Sequence, residues 1–503
     1  MARTSTLSFD RGTLILHPPP RGRAWIDFAT WDDRVERFRI PAYYYRALVE
    51  RLQLEGVDFE DAASGFGALD LTPHTQMQPY PHQAEALLAW KQAQRRGVVV
   101  LPTAAGKTYL AQLAMEATPR STLIIVPTLD LMHQWYAHLL AAFPDVEIGL
   151  LGGGSRDRTP ILVSTYDSAA IHAESLGNQY ALIIFDECHH LPSDFNRVIA
   201  EYAIAPYRLG LTATPERADG RHEDLQVLIG PEVYRRSAED LAGKALAAHE
   251  IVQIKVTLSQ EERDRYNACI AERNAFLRQA KINFGSLDGW QRFIRESARS
   301  PAGRRAMLAH HEAKAIALGT DGKLRVLADL LGQHHPESVL IFTNDNATVY
   351  RISEAFLIPA LTHQTPVKER HEILQRFRAG EYRAIAASHV LNEGVDVPEA
   401  RVAVLLSGTG SAREYIQRLG RVLRKGKQAD KQAILYEVVT EDTLEERTSE
   451  RRRGSTWAAK KPQQLELVKP APVYELPRRA TPKAAEDTAT WKTPPPNLDD
   501  VPF

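Results

Sequence analysis

Short, almost wholly apolar runs punctuate this chain, and they leave few folds open. Val98-Val99-Val100-Leu101, Thr122-Leu123-Ile124-Ile125-Val126, Ile161-Leu162-Val163 and Leu182-Ile183-Ile184-Phe185 are separated by stretches with helical apolar spacing. Runs this short and continuous fit strands covered on both faces, the pattern of a parallel sheet between helices. The texture returns in Val339-Leu340-Ile341-Phe342, Ala384-Ile385-Ala386-Ala387 and Val402-Ala403-Val404-Leu405-Leu406. An α/β fold class with two parallel-sheet lobes is therefore expected.

The other segments differ. In residues 1–75, Leu14-Ile15-Leu16 and Ala24-Trp25-Ile26-Asp27-Phe28 read as strands, and Pro41 opens a helix through Tyr45, Leu48 and Leu52. Taken alone, this small mixed module reads as a capping or oligomerisation element. Residues 76–247 and 248–454 hold the two lobes, and 259–318 form a helical, polar, Arg-rich insertion in the second. The strand pattern Gln253–Leu258 just before the insertion suits the second lobe's sheet. Residues 455–503 turn to Pro, Lys and Thr, the composition of a disordered tail.

Composition removes several function classes. Lys plus Arg total 62 and Asp plus Glu 63 among 503 residues, for a formal charge of −1. Such a chain does not coat nucleic acid electrostatically, so any nucleic-acid contact must come from a local groove. Cys188 and Cys269 alone cannot build a disulfide framework, an iron–sulfur cluster or a four-ligand zinc site. They suit a reducing, cytoplasmic setting. No run approaches the roughly 18 apolar residues of a membrane span, and the first residues lack a signal peptide's apolar core. No membrane association is expected.

Leu101-Pro-Thr-Ala-Ala-Gly-Lys-Thr108 follows a strand run and precedes the helical spacing of Leu110, Leu113 and Ala114. A phosphate-binding loop needs this context, because backbone N–H groups and a helix N-terminus then converge on phosphate oxygens. Thr103, Ala104, Ala105 and Gly106 line the loop. Lys107 reaches the β- and γ-phosphates of ATP, and Thr108 offers its hydroxyl to Mg²⁺. Leu101 stands where the full pattern asks for Gly. Asp186-Glu187 ends the Leu182–Phe185 run, with Asp186 suited to the metal and Glu187 to polarising the attacking water. His189-His190, His310-His311 and His334-His335 are adjacent pairs, which diverge by about 100° on a helix and do not share one ion.

In the second lobe, Gln417-Arg-Leu-Gly-Arg-Val-Leu-Arg424 places Arg421 and Arg424 three apart on one helical face. Opposite a phosphate loop they read as arginine fingers acting across a cleft. Gln83, the Lys107 loop, Pro127-Thr128, Ser164-Thr165-Tyr166, Asp186-Glu187-Cys188-His189, Thr212-Ala213-Thr214, Phe342-Thr343, Asn392-Glu393-Gly394-Val395-Asp396-Val397-Pro398 and Gln417–Arg424 occur in that order. The series resembles that of superfamily 2 helicases and translocases. Ile125–Leu131, Val163–Ser168 and Ser407–Ile416 are most similar to the xeroderma pigmentosum group B helicase family, in its compact archaeal and bacterial form. The resemblance covers residues 1–454.

That resemblance implies two RecA-like lobes, a helical thumb at 259–318 and a damage-recognition-like domain at 1–75. It implies ATP hydrolysis with Mg²⁺ coupled to 3′-to-5′ movement on duplex or forked DNA, single/double-strand junctions included, in DNA repair. Catalysis then falls to Lys107, Asp186, Glu187, Gln417, Arg421 and Arg424. Gln83 reads adenine, and Gly394 and Asp396 join the nucleotide site. Thr212 and Thr214 couple the lobes, and Pro127, Thr128, Ser164, Thr165, Thr343, Ser388 and Arg217 contact DNA. A prokaryotic cytosol or nucleoid and a nuclease partner are implied too, and a monomer is expected because each lobe supplies half of one site. An ATP-gated scaffold, an RNA helicase or a defence-system motor are the competing readings.

Three features stand apart. The family's Arg-Glu-Asp element corresponds to Arg217-Ala218-Asp219, lacking the central acid, which makes duplex opening less secure than translocation. In the thumb-like segment, Arg292, Arg295 and Arg299 suit nucleic acid, whereas Trp290 and Phe293 read as packing residues. The final Asn-Leu-Asp-Asp-Val-Pro-Phe503 resembles the acidic, Phe-ended tip of bacterial single-stranded DNA-binding protein, and implies binders of that tip as partners.

Overall fold

The computed structural model describes residues 4–20, 25–74, 77–217, 219–241, 248–284, 288–388, 400–407, 432–446, 449 and 463–464. Ala218, Gly394, Asp396, Gln417, Arg421, Arg424 and the Asn497–Phe503 tip lie outside them.

The amino-terminal module is a five-stranded sheet of β1 (Ser5–Asp10), β2 (Thr13–His17), β3 (Thr30–Asp32), β4 (Arg37–Pro41) and β5 (Phe59–Asp61), ordered β3-β4-β2-β1-β5. Leu7, Leu14, Leu16 and Ile40 meet Tyr45, Leu48 and Leu52 of helix α1 (Tyr45–Leu54) in its core. The expected second strand is instead a single 3₁₀ turn, Ile26–Phe28. Trp25 is the inward residue there, edge-on to Phe38 at 4.9 Å, while Ile26 is exposed, so the apparent alternation has no sheet to serve. Pro41 ends β4 opposite Thr13, and α1 begins one 3₁₀ turn later. The module is fastened to the first lobe. Ile204 joins its core, Arg46 donates to the Gln94 carbonyl at 2.8 Å, and Asn178 donates to the Ala63 carbonyl at 3.1 Å.

The first lobe contains β6 (Arg96–Val100), β7 (Thr122–Val126), β8 (Ile148–Gly152), β9 (Ser155–Arg156), β10 (Ile161–Thr165), β11 (Leu182–Asp186), β12 (Tyr207–Thr212) and β13 (Glu232–Arg235). The order is β13-β6-β12-β11-β7-β10-β8-β9, parallel apart from the β8–β9 hairpin. Four helices set the site. α2 (Pro81–Gln92) starts with Pro at its first position, α3 (Lys107–Glu116) follows Gly106, and α4 (Leu129–Ala142) and α5 (Tyr166–Ile171) follow β7 and β10. Thr128 and Thr165 cap α4 and α5, their hydroxyls accepting the Leu131 and Ser168 N–H groups at 3.3 Å each.

The second lobe's sheet has β14 (Ala248–Val256), β15 (Val339–Phe342), β16 (Ala360–Leu361), β17 (Ala384–Ala387), β18 (Val402–Leu405), β19 (Gln432–Thr440) and β20 (Gln463–Gln464), ordered β16-β17-β15-β18-β19-β14-β20. β14 pairs in parallel with β19, so the strand before the insertion does belong to this sheet. β20 lies within the segment expected to be structureless, yet it pairs with β14 at Val252 and Gln253. The insertion folds as helices Gln260–Gln279, Gly289–Ser297 and Pro301–Gly319. Phe293 is fully buried, but Trp290 is 44% exposed, so only one of the two aromatics serves the core.

Candidate active site

Parallel sheets bring loops that are far apart in sequence to one carboxyl edge, and ligands bind there. In the first lobe, β6, β11 and β12 deliver the Lys107 loop, the Asp186-Glu187 turn and Thr212 to that edge. The phosphate loop turns through positive φ at Ala104 (68°) and Gly106 (79°) before α3 begins. Only glycine suits the second position, since a Cβ on Gly106 would meet the Gln83 Nε2 at 2.2 Å. Ala104 tolerates the left-handed geometry at a cost of about 1 kcal/mol.

Gln83 is 2% exposed and fully engaged with this loop. Its Oε1 accepts the Tyr80 N–H at 2.9 Å, and its Nε2 donates to the Ala105 and Gly106 carbonyls at 3.3 and 3.1 Å. The ring of His82 reaches the Ala105 carbonyl at 2.9 Å. The Thr103 hydroxyl is buried with no hydrogen-bond partner among the described residues. An orphaned buried hydroxyl just before a helix N-terminus fits a phosphate ligand.

Lys107 Nζ lies 3.2 Å from Glu187 Oε1 and 3.5 Å from the Leu101 carbonyl. Glu187 sits at a left-handed φ of 47°, a strained position of the kind concentrated at functional sites. Beside it, burial and the Glu187 charge push the Asp186 carboxyl up to about 6. A buried acid beside a phosphate-binding loop fits a divalent cation, which would supply the charge that burial withholds. Thr108 is half-buried at the start of α3.

Behind these groups runs a polar chain. The Thr212 hydroxyl donates to Glu187 Oε2 at 3.4 Å and accepts the Thr214 N–H at 3.2 Å, and His189 Nδ1 lies 3.0 Å from it. Arg217 donates to the His189 carbonyl at 2.7 Å and clamps Asp219 with two bonds of 2.9 and 2.6 Å. Its guanidinium is thus turned toward the protein.

The residues expected on DNA fall into two groups. Pro127 and Thr128 stand half-buried at the mouth of α4. Ser164, Thr165, Thr343 and Ser388 are buried, with the Ser164 hydroxyl donating to the Leu151 carbonyl, Thr165 to the Ser168 hydroxyl and Thr343 to the Asp345 carbonyl; Thr165 also caps α5. Sequence reasoning missed Trp135, whose indole Nε1–H donates to Asp186 Oδ2 at 2.9 Å, and gave no role to Tyr166 of the Ser164-Thr165-Tyr166 motif, whose hydroxyl donates to the Asp186 carbonyl at 3.0 Å. Met132, Trp135 and Leu139 share a helix face and read simply as core, so no sequence signal marks Trp135.

Comparison with known proteins gives the same architecture. Residues 7–63 match the xeroderma pigmentosum group B helicase damage recognition domain, 76–217 the type III restriction enzyme res subunit, and 322–426 the helicase conserved C-terminal domain. The chain is 42% identical over 427 residues to the DNA 3'-5' translocase XPB2 of Sulfurisphaera tokodaii, covering 84% of this chain and 95% of that one. It is 32% identical over 361 residues to the DNA 3'-5' helicase XPB of Mycobacterium tuberculosis, covering 69% of this chain and 58% of that protein. Among solved structures, the Pyrococcus furiosus Hef helicase domain shares the fold at a TM-score of 0.53 and 18% identity, over 74% of this chain and 98% of that one.

Proposed function

The chain belongs to the xeroderma pigmentosum group B helicase family, and on that premise we propose that the Lys107–Asp186–Glu187 cluster is the hydrolytic half of a DNA motor. The activity is that of an ATP-hydrolysing DNA 3'-5' helicase or translocase. The observation that carries the assignment is the 3.2 Å pair between Lys107 and Glu187, which brings a phosphate-seeking cation and a candidate base to one strand edge.

In this reading Lys107 leaves Glu187 for the β- and γ-phosphates when ATP binds, and Thr103, Ala104, Ala105 and Gly106 cradle them. Freed from the lysine, Glu187 polarises the attacking water. Thr108 and Asp186 hold Mg²⁺, which when bound neutralises charge on the phosphates. Gln83 faces the adenine side through its loop contacts. Arg421, Arg424, Gln417, Gly394 and Asp396 complete the site from the second lobe, and Thr212 and Thr214 link Glu187 to movement of the lobes. Pro127 and Thr128 contact the phosphodiester backbone without reading bases, which suits the neutral charge balance. Ser164, Thr165, Thr343 and Arg217 reach DNA only if their present side-chain contacts are exchanged, and Ser388 only if it is uncovered.

Duplex or forked DNA is the substrate in this reading and DNA repair the setting. Translocation is better supported than strand separation, because Arg217-Ala218-Asp219 lacks the family's central acid. A nuclease partner and binders of the acidic Asp499-Asp500 tip extend the same reading. No helix among the described residues is long and apolar enough to cross a membrane.

The test is ATP turnover by the wild type and by Lys107→Ala, alone and with duplex, forked or single-stranded DNA or RNA. Stimulation by forked or single-stranded DNA, lost in the variant, is expected. Stimulation by RNA alone would replace the DNA reading.

A further inference from the structure

Two buried aromatic side chains from different helices converge on Asp186. The strand order β11-β7-β10 places α4 and α5, which leave the carboxyl ends of β7 and β10, beside the end of β11. Trp135 on α4 donates its indole N–H to Asp186 Oδ2 at 2.9 Å. Tyr166, the first residue of α5, donates its hydroxyl to the Asp186 carbonyl at 3.0 Å. Asp186 Oδ1 in turn accepts the Glu187 N–H at 3.1 Å. The aspartate is therefore held at both its side chain and its backbone, and both holds come from helices whose caps are Thr128 and Thr165.

The same α4 has a third attachment. Asp130, in its first turn, pairs with Arg370 of the second lobe at 3.2 Å. One helix thus touches the second lobe, the Thr128 loop and the Asp186 carboxylate. Close-packed interiors pass on rigid-body displacements instead of absorbing them, and Trp135 is 2% exposed within such a core. A small shift of α4 or α5 must accordingly turn or move Asp186.

We propose that Trp135 and Tyr166 are positioning residues that make the placement of Asp186 depend on what the Thr128 and Thr165 loops hold, and so couple DNA occupancy to ATP hydrolysis. The proposal rests on the assignment of those two loops to DNA. A buried indole or phenol needs some acceptor in any case. What a purely structural role does not require is that two neighbouring helices, each capped by a candidate DNA residue, spend that bond on one aspartate.

Trp135→Phe and Tyr166→Phe remove the donors and keep the rings. In the full chain, ATP turnover is measured with and without forked DNA. DNA affinity is measured with and without a non-hydrolysable ATP analogue plus Mg²⁺, and analogue affinity with and without DNA. The ratio of stimulated to basal turnover should fall about five- to tenfold in each variant. The mutual effects of DNA and analogue on each other's binding should shrink by one common factor, because coupling of binding is reciprocal. A parallel fall of both rates with a lower melting midpoint, or no change in either ratio, overturns the proposal.

Thr128→Asp and Thr165→Asp test the premise separately. Asp keeps the helix cap while repelling a phosphodiester. Unchanged DNA affinity in both overturns the loop assignment. Weakened affinity there, with intact coupling in the two Phe variants, overturns the proposal alone.

Discussion

Two lysine–glutamate pairs, one in each lobe, sit beside carboxyl ends of parallel strands and behave differently. Lys107 and Glu187 are 3.2 Å apart with side chains 11% and 13% exposed. Lys323 and Glu445 are 2.6 Å apart with both side chains 2% exposed. Lys323 also donates to the Leu406 carbonyl, and Glu445 accepts the Thr440 N–H at 3.0 Å. In the first pair solvent and ligand can reach the charges, so a phosphate can take the lysine from its carboxylate. In the second, both ions have left water, and their partners among the described residues belong to the fold. Residue type and strand-end placement are shared. Access is what separates a site from a strut.

The largest expected effect tests the first pair. Glu187→Gln keeps the size and removes the charge that holds Lys107. Turnover should fall at least about 100-fold, the scale of lost general-base catalysis, while equilibrium binding of an ATP analogue is retained or tightened. Loss of analogue binding would mean that the pair builds the site and is not displaced by its ligand. Retained turnover would remove Glu187 from the chemistry, and full support of the repair pathway without turnover would favour the scaffold.

The second pair predicts a loss of stability instead. Lys323→Met strands a buried carboxylate and should cost about 3–5 kcal/mol in denaturant titration of the second lobe. The double variant Lys323→Met with Glu445→Leu should recover much of that loss, because a buried pair replaced by apolar groups is often neutral. A wild-type melting profile in Lys323→Met would collapse the contrast between the pairs.

The sequence makes these two pairs unequally legible. Lys107, Asp186 and Glu187 stand out because phosphate chemistry demands a loop–helix spacing and an acidic strand end, which survive as a linear pattern. Lys323 and Glu445 are 122 positions apart, and only the sheet order brings them together. Trp135 is hidden for a related reason, since helical spacing gives the face of a residue but not the acceptor its N–H will find. β11 and β15 were readable as uninterrupted apolar runs. β12 was not, because it contains Arg208, which is fully buried and donates to the carbonyls of Ala203, Ala205 and Leu228. A polar letter masked a core strand whose charge is satisfied by backbone. In the amino-terminal module, strands of three to six residues leave too little pattern to separate Ile26–Phe28 from a turn.

A third kind of ionisable group, half-buried and with no charged partner of opposite sign among the described residues, gives the smallest effect. His310 in the insertion packs against Trp290 at 5.2 Å, Phe293 at 6.0 Å and Phe284 at 6.3 Å. Burial first, then the positive field of Arg273 and the neighbouring His311 and Lys314, lower its pKa to about 4. The unfolded chain, with an ordinary histidine value near 6.5, binds this proton more readily than the folded one. Stability from this group is therefore complete above about pH 6.5, falls as pH drops toward about 4, and levels off below that. Its size should be on the order of 1 kcal/mol once solvent screening at a half-buried ring is allowed for. In thermal melts between pH 7.5 and 4.5 at fixed ionic strength, the wild type should lose stability relative to His310→Leu as the pH falls, because only the wild type loses this contribution. A constant gap would show that His310 takes up its proton over the same pH range in the folded insertion as in the unfolded chain, so that its half-burial leaves its proton affinity unaltered.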